Sequence, residues 1–126
     1  MVTGGAGNVG GALAELLVKN GYYVVIVDNL LTGSLDKLPP KSYTNWKFYH
    51  VDVNDYDSFS KVMKSEAVDY VFHYAALVGV DRTLSNPVMV MEDLKGIRNV
   101  CEQCFASQYW PIVLDLEGNL LYHSYN

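Results

Sequence analysis

Glycines at three-residue intervals near the amino terminus restrict the fold of this chain more than any other feature. Residues 3–10 read Thr-Gly-Gly-Ala-Gly-Asn-Val-Gly, with Gly4, Gly7 and Gly10 three residues apart. Met1–Thr3 can form a short strand before them. Apolar residues at helical spacing follow: Val9, Ala12, Leu13, Leu16 and Leu17. A strand, a glycine turn and a helix in this order predict a loop that holds a phosphate at the helix amino terminus; a tight turn without a ligand is the alternative.

An acidic residue follows this unit at the distance expected of a ribose-binding residue. After a Gly at position 21, the apolar run Tyr22 to Val27 predicts a buried strand, and Asp28 ends it 18 residues after Gly10. A carboxylate there can accept hydrogen bonds from the hydroxyls of an adenosine ribose and would repel a 2′-phosphate, which favours NAD over NADP. The alternative is that Asp28 caps the following turn.

The rest of the chain alternates strands and helices, which predicts an α/β domain with a parallel sheet. Residues 29–45 are rich in Thr, Gly, Ser, Pro and Lys and predict a long surface connection. Strands are predicted at residues 46–51 and 70–74. Between them lie a turn at 52–55 and an apolar helical stripe formed by Tyr56, Phe59, Val62 and Met63. Asn86 and Pro87 suit the N-cap and first position of a helix that should run to about Cys104.

Residues 105–126 interrupt this alternation. Ile112 to Leu116 and Leu120 to Ser124 predict two short strands around a turn at 117–119, which indicates a hairpin rather than a parallel strand that leads into a helix. We therefore expect a nucleotide-binding domain over residues 1–104. The divergent tail over residues 105–126 could add a β-hairpin to the same domain.

Asp52 and Val53 follow the third predicted strand, at the same edge of the sheet as Asp28. They could flank an adenine, with the carboxylate accepting a hydrogen bond from its amino group. A turn or helix N-cap role for Asp52 is an equal alternative.

Several short motifs occur together within the first 104 residues. They are Thr3 to Gly10, Asp28-Asn29-Leu30 with Gly33, Asp52-Val53, Phe72-His73-Tyr74-Ala75-Ala76, Val80-Asp81-Arg82-Thr83, Asn86-Pro87, Gly96 and Asn99. In combination they resemble the extended short-chain dehydrogenase/reductase family, and specifically its NAD-dependent nucleotide-sugar epimerases and dehydratases. The resemblance implies a Rossmann-like parallel sheet with flanking helices, NAD as the cofactor, and a nucleotide-sugar as a partner of a complete relative.

The resemblance also implies that Ala75 and Ala76 line the dinucleotide, although small residues can equally pack a turn between strand and helix. The candidate cofactor-binding residues lie in the glycine loop and after the second, third and fourth strands. They are Gly4, Gly7, Asn8, Val9, Gly10, Asp28, Asn29, Asp52, Val53, Ala75 and Ala76. We assign no catalytic residue and no metal ligand.

Catalysis in the resembled family implies a Tyr base, a Lys four residues later that lowers the pKa of the Tyr, and a Ser or Thr donor. No Lys follows Lys95, so we expect a truncated Rossmann-like unit that binds NAD without turnover. Tyr43 and Lys47 have the required spacing but precede the third strand, and we interpret them as coincidence. A non-catalytic structural or interaction protein is the alternative. A methyltransferase that uses S-adenosylmethionine ranks last, because no acid precedes the glycines.

Four other residues invite a chemical interpretation. Cys101 and Cys104 have redox spacing but fall late in their helix, so we expect buried or idle cysteines. His73 lies in an apolar strand and is interpreted as a core or strand-end residue. Arg82 could contact a phosphate, and a solvated surface Arg is the alternative.

Composition narrows the possible partners and location. The chain has 126 residues, 50% of them apolar, which suits one domain. The formal net charge of −5 argues against nucleic acid and anionic membranes as partners. No apolar run approaches the roughly 20 residues of a membrane span, and Met1 is followed by no signal-like segment. We expect a cytoplasmic protein, with a homo-oligomer allowed.

Overall fold

The computed structural model describes residues 1–76 and 84–107, together with the backbone of 112–114 and 120–122. Within these ranges, six strands form one sheet in the order β3-β2-β1-β4-β5-β6. The strands are β1 Val2–Thr3, β2 Val24–Asp28, β3 Trp46–His50, β4 Tyr70–His73, β5 Ile112–Leu114 and β6 Leu120–Tyr122. Neighbouring strands from β3 to β5 run parallel, and β6 pairs antiparallel with β5.

Helices cover both faces of the sheet. They are α1 Asn8–Lys19, α2 Tyr56–Ser65, α3 Pro87–Glu92 and α4 Leu94–Ala106, with a single 3₁₀ turn at Leu35–Lys37. Alternate residues of β2 enter two different cores, because successive side chains of a strand point to opposite faces. Val25 and Val27 pack with residues of α2 and α4, whereas Ile26 packs with Ala14 and Val18 of α1.

The strand order changes direction at β1. The chain moves outward from β1 to β2 and β3, and then returns to place β4 on the other side of β1. In open parallel sheets, ligands bind outside the carboxyl ends of the strands at such a switch point. The glycine loop leaves β1 at this position. The predicted Rossmann-like α/β fold, with a short antiparallel strand pair in the tail, is confirmed.

Three details of the sequence interpretation were wrong. In α1, Leu13 and Leu17 of the predicted stripe pack against the core. Val9 and Leu16 are 59% and 58% exposed and Ala12 is exposed too, while the buried positions are Gly10, Gly11, Ala14 and Val18. The two glycines let the helix approach the glycine loop and the 3₁₀ turn at Leu35–Lys37 closely. Tyr22 and Tyr23 precede β2 and are 62% and 56% exposed. Tyr56 is likewise 44% exposed, since it begins α2 at the surface.

The later elements also differ from expectation. The helix predicted from Pro87 is two helices, which meet at Asp93 (φ −63°, ψ −20°). The segment Ile112–Leu114 is a parallel neighbour of β4 as well as one half of an antiparallel pair, so it extends the α/β sheet. In the described ranges, no helix combines the length and apolar character that a membrane span requires.

Candidate functional site

Two glycines of the loop are required by the packing of the loop itself. Gly4 has a φ of +68°, and a Cβ added there would lie 2.6 Å from the carbonyl carbon of Tyr74. The positive φ and the close approach of the segment after β4 each exclude other residues. A Cβ on Gly10 would collide with the carbonyl oxygen of Gly4 and lie 2.9 Å from its carbon. This glycine therefore permits the close contact between α1 and the loop.

Gly7 is less crowded than Gly4 and Gly10, although it has one tight backbone neighbour. Its backbone is extended (φ −85°, ψ 178°), and an added Cβ would have only the Gly4 oxygen within 4 Å, at 3.1 Å. Gly7 is the N-cap of α1, makes no side-chain cap, and is followed by a first turn without an acidic residue. Asn8 and Val9 are exposed. The amino terminus of α1 thus presents backbone N–H groups to an accessible space, as an anion site requires.

Asp28 is held in place by two backbone groups. The residue as a whole is only 7% exposed. Oδ2 accepts a hydrogen bond from the N–H of Ala6 at 2.9 Å, and Oδ1 accepts one from the N–H of Leu30 at 2.8 Å. The turn-capping alternative therefore describes the geometry correctly. A carboxylate has about four lone-pair sites, so these two bonds leave acceptor capacity for ribose hydroxyls.

The loop after β2 is joined to the glycine loop. Leu30 adopts a φ of +58°, which costs an L-residue about 1–2 kcal/mol. Ser34 donates its backbone N–H to the oxygen of Ala6 at 2.9 Å, and Gly33 lies so close that a Cβ would be 2.9 Å from Asp28 Oδ1. Ala6 is therefore bound through both its N–H and its carbonyl group. The two loops form one rigid wall of the site.

A cavity of about 250 Å³ opens beside this wall, at the carboxyl ends of β2, β3 and β4. The predicted residues Asp28, Asn29, Asp52, Val53, Ala75 and Ala76 all line it. Residues of α3 and the start of α4 close the far side, namely Met89, Glu92, Asp93 and Lys95. The fold thus brings six of the eleven candidate residues to one cavity. The remaining five belong to the glycine loop and the start of α1. This loop contacts the same wall through Ala6, whose N–H donates to Asp28 Oδ2.

Asn29 and Asp52 contact each other across two neighbouring strand ends. Asn29 Nδ2 donates to Asp52 Oδ2 at 3.1 Å, and Asp52 Oδ1 accepts from the N–H of Asn54 at 2.8 Å. Asp52 is therefore a turn residue. The N-cap of α2 is Asp55, whose Oδ1 accepts from the N–H of Ser58 at 3.4 Å.

Helix α4 contacts the segment that follows Asp52. Asn99 is buried and donates from Nδ2 to the carbonyl oxygen of Val53 at 2.8 Å. Asn54 Nδ2 donates to Asp93 Oδ1 at 3.1 Å, whereas Asn54 Oδ1 is buried and has no hydrogen-bond partner among the described residues. Such an unsatisfied acceptor costs about 1–3 kcal/mol. Sequence reasoning gave Asn99 no role, although a polar residue on the apolar face of a helix was a usable signal.

Thr3 joins β1 to the end of β4. Its hydroxyl oxygen accepts from the N–H groups of Tyr74 and Ala75 at 3.2 and 3.3 Å, and lies 2.8 Å from His73 Nδ1. The hydroxyl and Nδ1 share one hydrogen bond, whose direction depends on the tautomer of His73. Burial lowers the pKa of His73 to about 4, with Asp93 opposing the shift. His73 is therefore a neutral strand-end residue, as predicted.

The other described residues that were considered from the sequence do not line the cavity. Tyr43 is exposed on the long connection, and Lys47 lies over the ring of Tyr49, 4.9 Å from its centre. Cys101 is half-buried, and burial raises the pKa of the Cys104 thiol to about 12. Arg82 lies outside the described residues. No group of metal-ligating side chains occurs in the part of the chain that is described.

Acidic side chains dominate the charge around the cavity. Among the described residues that line the cavity are four acids, Asp28, Asp52, Glu92 and Asp93, and one Lys, Lys95, whose Nζ is 3.6 Å from Glu92 Oε1. An additional phosphate on the ribose would meet more carboxylate than ammonium charge among these residues. A nucleotide without a 2′-phosphate is the better electrostatic match.

A parallel sheet with helices on both faces, and a glycine turn that opens the first helix at the switch point, define a Rossmann-class nucleotide-binding protein. The residues present suit a dinucleotide, because the amino terminus of α1 and the Asp28 carboxylate lie on one wall. Comparison with known proteins agrees. The chain belongs to the NAD dependent epimerase/dehydratase family, whose family model matches residues 1–114.

Individual relatives support this membership. A protein of Methanocaldococcus jannaschii, provisionally named a UDP-glucose 4-epimerase, is 32% identical over 123 residues, covering 97% of this chain and 39% of the relative. UDP-N-acetyl-α-D-glucosaminuronate decarboxylase of Bacillus cytotoxicus is 35% identical over 103 residues, covering 81% of this chain and 31% of the relative. The crystal structure of Thermus thermophilus UDP-glucose 4-epimerase in complex with NAD has a TM-score of 0.79 at 32% identity, covering 90% of this chain and 35% of that one. The chain spans about a third of the length of these proteins.

Proposed function

We propose that this chain binds NAD at the switch point of its sheet. The pyrophosphate lies at the amino terminus of α1, over Gly7. Asp28 accepts hydrogen bonds from the adenosine ribose, and the adenine enters the cavity beside Asp52 and Val53. Ala75 and Ala76 line the cofactor where it passes the end of β4. Residues 1–104 supply these contacts, and the tail over 105–126 extends the sheet.

The limited crowding at Gly7 is the observation that carries this proposal. Gly4 is required by its positive φ and Gly10 by a collision with the loop backbone, whereas Gly7 has an ordinary φ and one tight neighbour, the Gly4 oxygen at 3.1 Å from an added Cβ. A glycine that the loop's own packing requires less than it requires the other two is expected where a ligand must approach the backbone. The position is also the N-cap of a twelve-residue helix that lacks a side-chain cap.

When bound, NAD supplies a hydride acceptor to the reactions of the family. This chain's own residues bind and orient the adenosine half and the pyrophosphate. The carboxylates around the cavity favour NAD over NADP, and the relative from Thermus thermophilus was crystallised with NAD.

Turnover of a nucleotide-sugar is not part of this proposal for the 126 residues alone. The relatives that are named for UDP-sugars are about two and a half times as long as this chain. The last Lys of the sequence is Lys95, in the first turn of α4. Residues 96–126 therefore supply no ammonium group that could stabilise a Tyr phenolate. We therefore propose binding without turnover, with UDP-sugars as the substrate class of longer proteins that contain this unit.

Titration of the chain with NADH tests the proposal. Binding should be saturable by nucleotide fluorescence and by calorimetry, and NADPH should bind more weakly. Incubation with UDP-glucose and NAD should give no epimerised product. The absence of a saturable signal with either nucleotide would refute NAD binding, and detectable epimerisation would refute the absence of turnover.

A further inference from the structure

Helix α3 has little tertiary support from the part of the chain that is described. It spans only Pro87–Glu92 and contains no buried residue. Val88 and Met91 are 66% and 68% exposed. Its hydrogen bonds and its ion pair all join residues at most four positions apart, such as the bond from the N–H of Met89 to Asn86 Oδ1 at 3.1 Å. Helices this short are unstable in water without tertiary packing, so α3 should open easily.

Helix α4, by contrast, is firmly fixed. Its buried residues are Gly96, Asn99, Val100, Gln103 and Cys104. Asn99 Nδ2 donates to the carbonyl oxygen of Val53 at 2.8 Å. Where the two helices meet, Asp93 Oδ1 accepts a hydrogen bond from Asn54 Nδ2 at 3.1 Å. This junction can serve as a hinge, because α4 is anchored on one side of it and α3 is only weakly held on the other.

Although it is weakly held, α3 forms part of the wall of the nucleotide cavity. Met89 and Glu92 line the cavity together with Val51 and Val53 from the end of β3 and the segment after it. Met89 is 38% exposed, well below the exposure of the other apolar residues quoted for α3. A thioether packs favourably against an aromatic ring. Met89 is therefore the side chain of α3 that is suited to contact a flat base in the cavity.

We propose that α3 is a lid that a bound nucleotide closes, and that Met89 is the residue through which this lid contacts the base. The helix at Pro87–Glu92 is the closed arrangement, and in the free chain the lid is open most of the time. A nucleotide supplies the packing partner that α3 lacks, so binding and helix formation are coupled, and part of the binding free energy is used to order the helix. This inference rests on the proposed function, because the ligand is the nucleotide that we assign to the cavity.

A glycine in α3 tests this coupling. Met91 does not line the cavity, so Met91→Gly weakens the helix and leaves the contact surface intact. If α3 forms only in the complex, the Kd for NADH should rise about threefold to fivefold, which is the effect of a glycine within a helix. The free energy of unfolding should not change, because the free chain contains little of this helix.

Lys61→Gly is the matched control. Lys61 is exposed on α2, which is helical with or without a ligand because Phe59, Val62 and Met63 are buried. This variant should lower the free energy of unfolding and leave the Kd for NADH unchanged. The same pattern in Met91→Gly, with stability lost and the Kd unchanged, overturns the lid.

Met89→Ala tests the contact with the base. Alanine favours a helix at least as strongly as methionine does, so helix propensity alone would not weaken binding. Loss of the contact should instead raise the Kd for NADH about twofold to tenfold, the range of a contact between sulfur and an aromatic ring. Met89→Leu should recover part of this loss, because leucine restores the apolar contact. An unchanged Kd in Met89→Ala overturns the role of Met89.

Hydrogen exchange observes the lid directly and separates this inference from the proposed function. The amides of residues 90–92 should exchange at nearly unprotected rates in the free chain and about tenfold or more slowly with saturating NADH. Full protection without NADH overturns the inference, while NAD binding itself stands. A chain that binds no NADH overturns the proposed function and the inference together.

Discussion

Replacing Gly7 by valine should separate ligand binding from folding. The backbone of Gly7 is extended, so valine can adopt it, and only Gly4 O lies within 4 Å of the new Cβ, at 3.1 Å. The added side chain would project into the space that we propose for the pyrophosphate. Asn8 and Val9 are exposed beside it, so their side chains can move without disturbing the core.

The expected loss of affinity follows from the contacts that valine prevents. Hydrogen bonds to a charged group contribute about 1.5–3 kcal/mol each, so excluding the pyrophosphate from two N–H groups costs about 3–6 kcal/mol. Since about 1.4 kcal/mol is a tenfold change in Kd, NADH binding should weaken by at least about 100-fold. The free energy of unfolding should fall by about 1–3 kcal/mol, because valine is a poorer N-cap than glycine and its Cβ would press on the Gly4 oxygen at 3.1 Å.

Fluorescence titration with NADH and urea unfolding measure the two quantities. Ala12→Val is a matched control, since it places the same side chain at an exposed position of the same helix and should leave NADH binding unchanged. Gly10→Ala should lower stability by about 1–3 kcal/mol or more and weaken NADH binding as well, because its Cβ would meet the Gly4 backbone and displace the loop. An unchanged NADH affinity in Gly7→Val would refute the placement of the pyrophosphate.

Three further predictions concern buried titratable groups. Asp28→Ala should lower the free energy of unfolding by about 1–3 kcal/mol, because it leaves the buried Ala6 N–H without an acceptor, and should relax the preference for NADH over NADPH. Urea unfolding and titration with both nucleotides measure this, and unaltered stability would contradict the pairing. The pKa of His73 is about 4 in the folded chain and 6.5 in the unfolded chain, so the unfolded state binds more protons at any pH between these two values. Lowering the pH from about 7 to about 4.5 should therefore cost about 2–3 kcal/mol more in the wild type than in His73→Asn, whereas His50→Asn, at an exposed position, should keep the full loss. Burial raises the pKa of Cys104 to about 12, so a thiol reagent at neutral pH should label it only at the rate of unfolding; fast labelling, followed by mass spectrometry of the peptide, would contradict this burial.

The features that sequence reasoning predicted correctly are encoded over short distances. The turn after β1 follows from glycine spacing, and the start of α3 follows from Asn86, whose Oδ1 accepts from the N–H of Met89 at 3.1 Å. The strand at Val24–Asp28 follows from its continuous β-branched run and is buried at every position. Each of these depends on residues within one turn or one strand, so a short window of sequence contains the necessary information.

The buried face of α1 could not be found in the same way. Hydropathy patterns give weight to large apolar side chains, and they selected Val9 and Leu16, which are exposed. The true contact face contains Gly10, Gly11 and Ala14, because α1 crosses the loop too closely for larger residues. The distance between two elements determines which residues fit between them, and that distance is a property of the assembled sheet.

The bonds that arrange the site join distant parts of the chain. Thr3 and His73 are 70 residues apart, and Asn99 and Val53 are 46 apart. No periodic pattern connects such pairs. Only the parallel registers of β1 with β4, and the packing of α4 over the end of β3, bring them within hydrogen-bonding distance.

From the sequence, Asp28 could be either a turn cap or a ribose ligand. The geometry is compatible with both roles at once. The N–H groups of Ala6 and Leu30 fix both carboxylate oxygens before any nucleotide arrives. A side chain already fixed in its binding orientation loses little rotamer entropy when a ligand binds, so capping improves the proposed ribose contact. Leu30 has a strained φ of +58°, so the chain changes direction directly after the N–H that caps the acid. Loss of Asp28 should therefore reduce stability and nucleotide selectivity together, and a variant that changed only one of them would separate the two roles again.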